Sequence, residues 1–242
     1  MPSIYKYLPE RFVDNLLRGE VLFRTLSYFQ DWEDKYRQVR GDRYEGTYLH
    51  QKPDGLDLTF NHAPEPTKLH GSFQSRVQSD DIFVFCLSTE LSATLAHEFE
   101  TTTCVEFHDP AKLIAGIRAA LLRRPSVKSK RLLSEPVHYY DSGDQVGVKW
   151  ALPDSITMSK TRDFDWQCEY RLAFAVNDAF SAGATQQAFV FPNGRWERSS
   201  SDYPEKLLKV GDLRRYCTVW QFAPDGSPVK RSMNHHAVLN PV

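Results

Sequence analysis

The sequence predicts an α+β domain built on a mixed, split β-sheet with flanking helices. The first observation is the unbroken apolar run IFVFCL at residues 82–87, the pattern of a strand covered on both faces. The second is the alternation along 166–176. There Trp166, Cys168, Tyr170, Leu172 and Phe174 share one face, and Gln167, Glu169 and Arg171 share the other. The third is that strand and helix patterns intermingle without a βαβ rhythm. No glycine-rich loop follows a strand, which argues against Rossmann and P-loop architectures.

In chain order, residues 4–8 read as a short strand, and Pro9 opens a helix that Gly19 closes. Residues 21–26 are the next strand. A helix over 28–37 carries Tyr28, Phe29, Trp32 and Tyr36 on one stripe. Across 41–78 periodicity is weak and Pro53-Asp54-Gly55 and Pro64-Glu65-Pro66 interrupt the chain, so a loop-rich insertion with one hairpin is expected. Beyond the central run, 90–100 reads as a helix and 102–107 as a strand. Asp109-Pro110 starts a helix that reaches Leu122. Residues 137–140, 188–191 and 217–222 supply further strands, Ser199-Ser200-Ser201 a loop, and 224–242 a loosely packed tail. One domain is expected to span 1–242, near the upper size for a single core.

Apolar residues at 41% and charged residues at 25% are the balance of an ordinary globular chain. A net charge of −1 sets up no global attraction to nucleic acid or to anionic membrane. The cationic stretch from Arg118 to Arg131 reads as a solvated helix end. Cys86, Cys104, Cys168 and Cys217 form no C-x-x-C pair, which argues against a zinc site and a disulfide framework. No apolar run approaches the ~20 residues of a membrane span. No signal-like segment opens the chain, so a soluble, cytoplasmic protein with no membrane association is expected.

Several residues stand out against this background. Lys6 and Arg24 interrupt the apolar faces of two early strands. A charge there must pair, reach water or bind an anion, and an arginine fork suits phosphate. Ser88-Thr89 ends the central strand, where a ligand cleft commonly opens, although either residue also suits a helix N-cap. The Gln167, Glu169, Arg171 face either meets water or lines a cleft. The carboxylates Asp31, Glu33, Asp34, Asp42 and Glu45 are expected as solvated acidic surface or caps, with Mg²⁺ binding as the alternative. The adjacent tail histidines His235 and His236 suggest nothing specific, and no metal site is assigned.

Taken in order, several short motifs carry a resemblance. They are Tyr5-Lys6-Tyr7, the aromatic-acidic segment from Leu22 to Asp34, Asp42-x-x-Glu45-Gly46, Cys86-Leu87-Ser88, Val105-Glu106-Phe107 and Trp166-x-x-Glu169-x-Arg171. Over roughly 4–176 this pattern resembles a large domain-of-unknown-function family of bacterial cytoplasmic proteins. The layout is distantly similar to the mono-ADP-ribosyltransferases. That resemblance implies an ADP-ribosyltransferase-like fold with NAD as substrate. Glu169 would hold the nicotinamide ribose and stabilise an oxocarbenium-like transition state, Ser88 would orient the site, and Gln167 would face an unknown acceptor, protein or nucleic acid. Lys6 or Arg24 would bind the NAD phosphates, with Tyr7, Thr89 and Arg171 in the same cofactor-binding set. Glu90 follows Ser88-Thr89 where those enzymes carry a serine.

Two rival readings use the same strand. Pro153-Asp154 followed by Glu169-x-Arg171 has the spacing of Mg²⁺-dependent Pro-Asp…Glu-x-Lys nucleases, with arginine in the lysine position, where it is a poor proton carrier. Alternatively the domain is a non-catalytic module that senses a nucleotide, in a toxin or phage-defence setting.

Overall fold

The computed structural model describes residues 1–32, 42–52, 54–59, 65, 67–127, 130–145, 147–192 and 203–231. Strand β1 (Ile4–Tyr7) leads through a 3-10 turn to α1 (Val13–Leu17), β2 (Glu20–Thr25) and α2 (Leu26–Trp32). Four short strands follow: β3 (Thr47–His50), β4 (Leu56–Leu58), β5 (Thr67–Leu69) and β6 (Ser72–Arg76). Next come β7 (Ile82–Ser88), α3 (Ala93–Glu98), β8 (Thr103–Phe107) and α4 (Pro110–Leu122). The chain continues through β9 (Leu133–Pro136), β10 (His138–Tyr140), α5 (Pro153–Thr157), β11 (Ser159–Thr161), β12 (Glu169–Ala175) and β13 (Gln186–Val190). It finishes with β14 (Glu205–Lys209), β15 (Cys217–Phe222) and β16 (Pro228–Lys230).

Strand β7 organises the main sheet, as its apolar run predicts. One edge carries β12 along its whole length, from Ile82 opposite Ala175 to Ser88 opposite Glu169. The other edge is shared between two strands. β2 pairs at Phe83 and Val84, and β1 pairs at Ser88, so among the described residues Cys86 between them has no strand partner on that side. The sheet therefore diverges into one arm of β2 and β14 and another of β1, β8, β15 and β16. Every pair in this sheet is antiparallel. Among the described residues the expected mixed character is met only by the parallel pair β10–β11 in a separate small sheet.

Both faces of β7 are covered, which is why its sequence does not alternate. Phe83, Phe85 and Leu87 join Tyr170, Leu172 and Phe174 under α4, whose Leu113, Ile117 and Leu121 point inward. Ile82 and Val84 pack on the opposite face with Ala173, Ala175, Tyr48, Tyr140 and Ile156. Burying such aliphatic and aromatic side chains stabilises by roughly 1.5–3 kcal/mol each.

Several local expectations change. The stretch 41–78 holds β3 to β6; β4 and β5 make the expected hairpin, and β3 and β6 join β13 in a second sheet. The helix expected over 90–100 is shorter, and Ser92 rather than Ser88 or Thr89 caps it, its Oγ accepting from the Leu95 amide at 3.4 Å. The tail forms β16 against β15, while residues 232–242, with His235 and His236, lie outside the described residues, as do Glu33, Asp34, Tyr36 and the triple serine. No helix among the described residues is long and apolar enough to cross a membrane.

Candidate functional site

Where the sheet diverges, a cleft of about 550 Å³ opens beside β7. That is within the range typical of small-molecule sites, roughly 300–1,000 Å³. Its walls come from both arms and from the end of β7: Lys6 and Tyr7 on β1, Arg24 on β2, Ser88 on β7, Gln167 in the turn before β12 and Glu169 at the start of β12. The divergence leaves the Cys86 carbonyl without a strand donor, and the Lys6 ammonium takes that place, donating to it at 2.7 Å. The same ammonium sits 4.6 Å from the centre of the Phe85 ring. Arg24 lies over the Tyr28 ring and pairs with Glu205 at 2.5 Å.

The floor of the cleft is ionic. Arg171, wholly buried, donates from Nε to Glu169 Oε1 at 2.7 Å and from Nη1 to Glu45 Oε1 at 2.7 Å. Its Nη2 reaches Glu169 Oε2 and Glu45 Oε2, each at 3.1 Å, and Nη1 also donates to the Thr157 carbonyl at 2.5 Å. Lys160 adds a second cation, 2.9 Å from Glu169 Oε2 and 3.4 Å from Glu45 Oε2. Two acids and two bases balance, as burial of charge requires. The Gln167 Oε1 accepts from Lys160 at 2.8 Å, and the Glu169 amide donates to the Tyr139 hydroxyl at 2.9 Å.

Glu45 reaches this floor from the Asp42-x-x-Glu45-Gly46 segment. The Asp42 carboxylate accepts from the Tyr44 amide at 2.8 Å and its carbonyl from the Glu45 amide at 2.7 Å, which winds the turn. Gln30 donates to the Glu45 carbonyl. Gly46 has φ +69, and an added Cβ would lie 3.1 Å from Leu26 Cδ1 and Val77 Cγ2, so glycine fits where other residues are strained.

The electrostatics follow from these contacts. Burial alone would raise the Glu169 carboxyl, but Arg171 and Lys160 outweigh it and hold the group well below the ordinary carboxylate range. Burial would likewise lower Lys160, yet Glu169 and Glu45 keep it raised, and Arg171 is raised for the same reason. Glu169 is therefore ionised at neutral pH. The nearby Cys86 thiol is pushed up to about 12 by burial first and by Glu169 second, so it is not a nucleophile at neutral pH.

Six of the eight residues that the resemblance assigns to the site share the cleft wall: Lys6, Tyr7, Arg24, Ser88, Gln167 and Glu169. Thr89 is not among the lining residues; its amide and hydroxyl both donate to the Cys168 carbonyl, at 2.8 and 3.1 Å. Arg171 also lies outside the lining, locked beneath Glu169 with no exposed surface. The strand expected over 166–176 begins only at Glu169, because 162–167 form a 3-10 turn and Cys168 is left-handed, φ 45. Asp154 heads α5 and pairs with Arg131 at 2.6 Å in a separate cavity. The structure thus does not bring Asp154 and Glu169 to one cavity. Among the described residues no three His, Cys, Asp or Glu side chains are grouped as metal ligands. Sequence reasoning missed Lys160 altogether and read Glu45 as surface; the signal available was Arg171, whose strand face continues with Ala173 and Ala175 and therefore demanded buried carboxylates.

No family model matches the chain, and neither a curated protein nor a solved structure matches it.

Proposed function

We propose that the cleft binds NAD and that the protein is an ADP-ribosyltransferase-like enzyme, passing ADP-ribose to an acceptor. The observation that carries this reading is the convergence of Lys6, Ser88, Gln167 and Glu169 on one cleft from three neighbouring strands and a turn far apart in sequence. Ser88 faces Tyr5 across one edge of β7 and Glu169 across the other. A dinucleotide needs cations for its phosphates and apolar faces for its rings; Lys6 and Arg24 offer the first, and Tyr7, Tyr28 and Phe99 the second.

In this reading the bond between nicotinamide nitrogen and ribose C1′ breaks, and its electron pair leaves with nicotinamide. Positive charge develops at the ribose beside Glu169, whose carboxylate is ionised and fixed by Arg171 and Lys160, so no reorganisation is needed as the charge appears. The acceptor's nucleophile then bonds to C1′ and gives up its proton to water. Ser88, whose Oγ accepts from the Glu90 amide at 3.1 Å, would orient the ribose.

A second reading is a non-catalytic nucleotide-binding module. It is favoured by the pairing of Glu169: a cation already touches each carboxylate oxygen, and the four-group cluster is neutral overall. Incubating the protein with NAD while following nicotinamide release, alongside calorimetry, separates the two. Enzyme activity requires release that Glu169→Gln cuts by about 10²-fold or more, roughly 3 kcal/mol, with NAD affinity little changed. Binding without release supports the module, and no heat at millimolar NAD removes both.

A further inference from the structure

Gln167 and Glu169 are separated by a kink, not by regular strand. Cys168 between them has φ 45, and Gln167 ends the 3-10 turn while Glu169 starts β12. Strand alternation therefore does not set where the two side chains sit relative to each other. What joins them is a single ammonium. Lys160 Nζ lies 2.8 Å from Gln167 Oε1 and 2.9 Å from Glu169 Oε2, with Glu45 Oε2 third at 3.4 Å. An ammonium has three donors and no acceptor, so these three oxygens can use all of it. Its side chain is 5% exposed, and it lies on the cleft lining with Gln167, Glu169 and Glu45.

Contact with an ammonium decides which way the Gln167 amide points. Only the carbonyl oxygen can accept from Lys160, so the NH₂ end is turned from the cation and kept for another acceptor. Glu169 keeps capacity as well, since Oε1 takes one hydrogen bond, from Arg171. We propose that Lys160 is a positioning residue that sets the Gln167 amide and the Glu169 carboxylate as a matched donor and acceptor on the cleft wall. It does this across a kink where strand alternation does not relate the two side chains. The acidic partners hold Lys160 charged, so the device does not switch near neutral pH.

The activity readout rests on the NAD reading above; the spectroscopic readout does not. The experiment compares Lys160→Met, Lys160→Arg and the neutral double variant Lys160→Met/Glu45→Gln. It follows nicotinamide release from NAD and the side-chain amide ¹⁵N–¹H signals of Gln167, identified by their loss in Gln167→Ala. Lys160→Met should lower kcat about 10²-fold, the scale of a roughly 1 Å misplacement, with KM within about threefold, and Lys160→Arg should recover much of it. The Gln167 amide signals should move in Lys160→Met and return towards wild type in Lys160→Arg. If Lys160→Met does not fold, the double variant, which removes one charge of each sign, carries the same expectations. Unmoved Gln167 signals in a folded variant lacking Lys160 would overturn the assignment. If wild type neither binds nor cleaves NAD, the enzyme reading fails, and the amide signals still decide whether Lys160 positions Gln167.

Discussion

Replacing Arg171 with methionine removes five hydrogen bonds and one buried charge while keeping most of the side-chain length. Glu45 and Glu169, which are 2% and 4% exposed, are then left with Lys160 as their shared cation, and the cluster carries one uncompensated negative charge. Removing one partner of a buried ionic group costs about 3–5 kcal/mol. For a chain of this size each kcal/mol shifts Tm by roughly 2–4 °C, so Arg171→Met should melt about 6–20 °C below wild type. Scanning calorimetry at neutral pH checks this. Arg131→Met, which breaks the exposed pair with Asp154, is the control and should cost at most about 1 kcal/mol. In Arg171→Met/Glu45→Gln the cluster is neutral again, and a large part of the lost stability should return. A melting point for Arg171→Met within about 2 °C of wild type would refute the account of a charge-balanced buried floor.

The same cluster fixes a pH window. Glu169 titrates below its ordinary 4.5 in the folded state, so its stabilisation is complete above that pH and declines as pH falls beneath it. Lys160 titrates above its ordinary 10.5, so its contribution is complete below that pH and declines above it; urea midpoints should therefore plateau between these limits. Gly46→Ala should destabilise by about 1–3 kcal/mol, read from denaturant midpoints, because the turn that delivers Glu45 has a positive φ and close neighbours. Cys86 should resist alkylation at pH 8 in the native protein and react once the protein is unfolded, as mass spectrometry would show.

What was legible in the sequence was local. Residues 82–87 read as a doubly covered strand because an apolar run needs no partner to be recognised, and β12 alternates as expected from Glu169 onward. Its first turn was misread because Trp166 and Cys168 continue the alternation, and nothing in residue type announces a left-handed cysteine. β14 was missed: Glu205–Lys209 is polar enough to pass for loop, and its single fully covered residue, Leu208, is too little pattern. The ionic floor was harder still. Arg171 and Glu45 lie 126 positions apart, and Lys160 sits in a three-residue strand with no periodicity to mark it. Such pairings are set by how the second sheet and α5 close over β12, which no local window contains.

The two early cations are not equivalent candidates for a phosphate, and the divergence of the sheet explains why. Arg24 is held by Glu205 at 2.5 Å and stacked on Tyr28, so an arriving anion must share or displace a carboxylate. Lys6 sits in the divergence itself, its ammonium on the Cys86 carbonyl, on the strand that meets β7 at Ser88. A charge-assisted hydrogen bond contributes about 1.5–3 kcal/mol, which is roughly a 10- to 150-fold change in Kd. If the cleft binds NAD as proposed, Lys6→Met should weaken that binding by at least about tenfold, and Arg24→Met by clearly less, in calorimetric titrations on variants whose melting is first shown to be cooperative. The loss on Lys6→Met should also shrink as salt rises, because it removes an ionic contact. Equal losses for the two variants, or a larger one for Arg24→Met, would move the phosphate from the divergence to the β2–β14 arm.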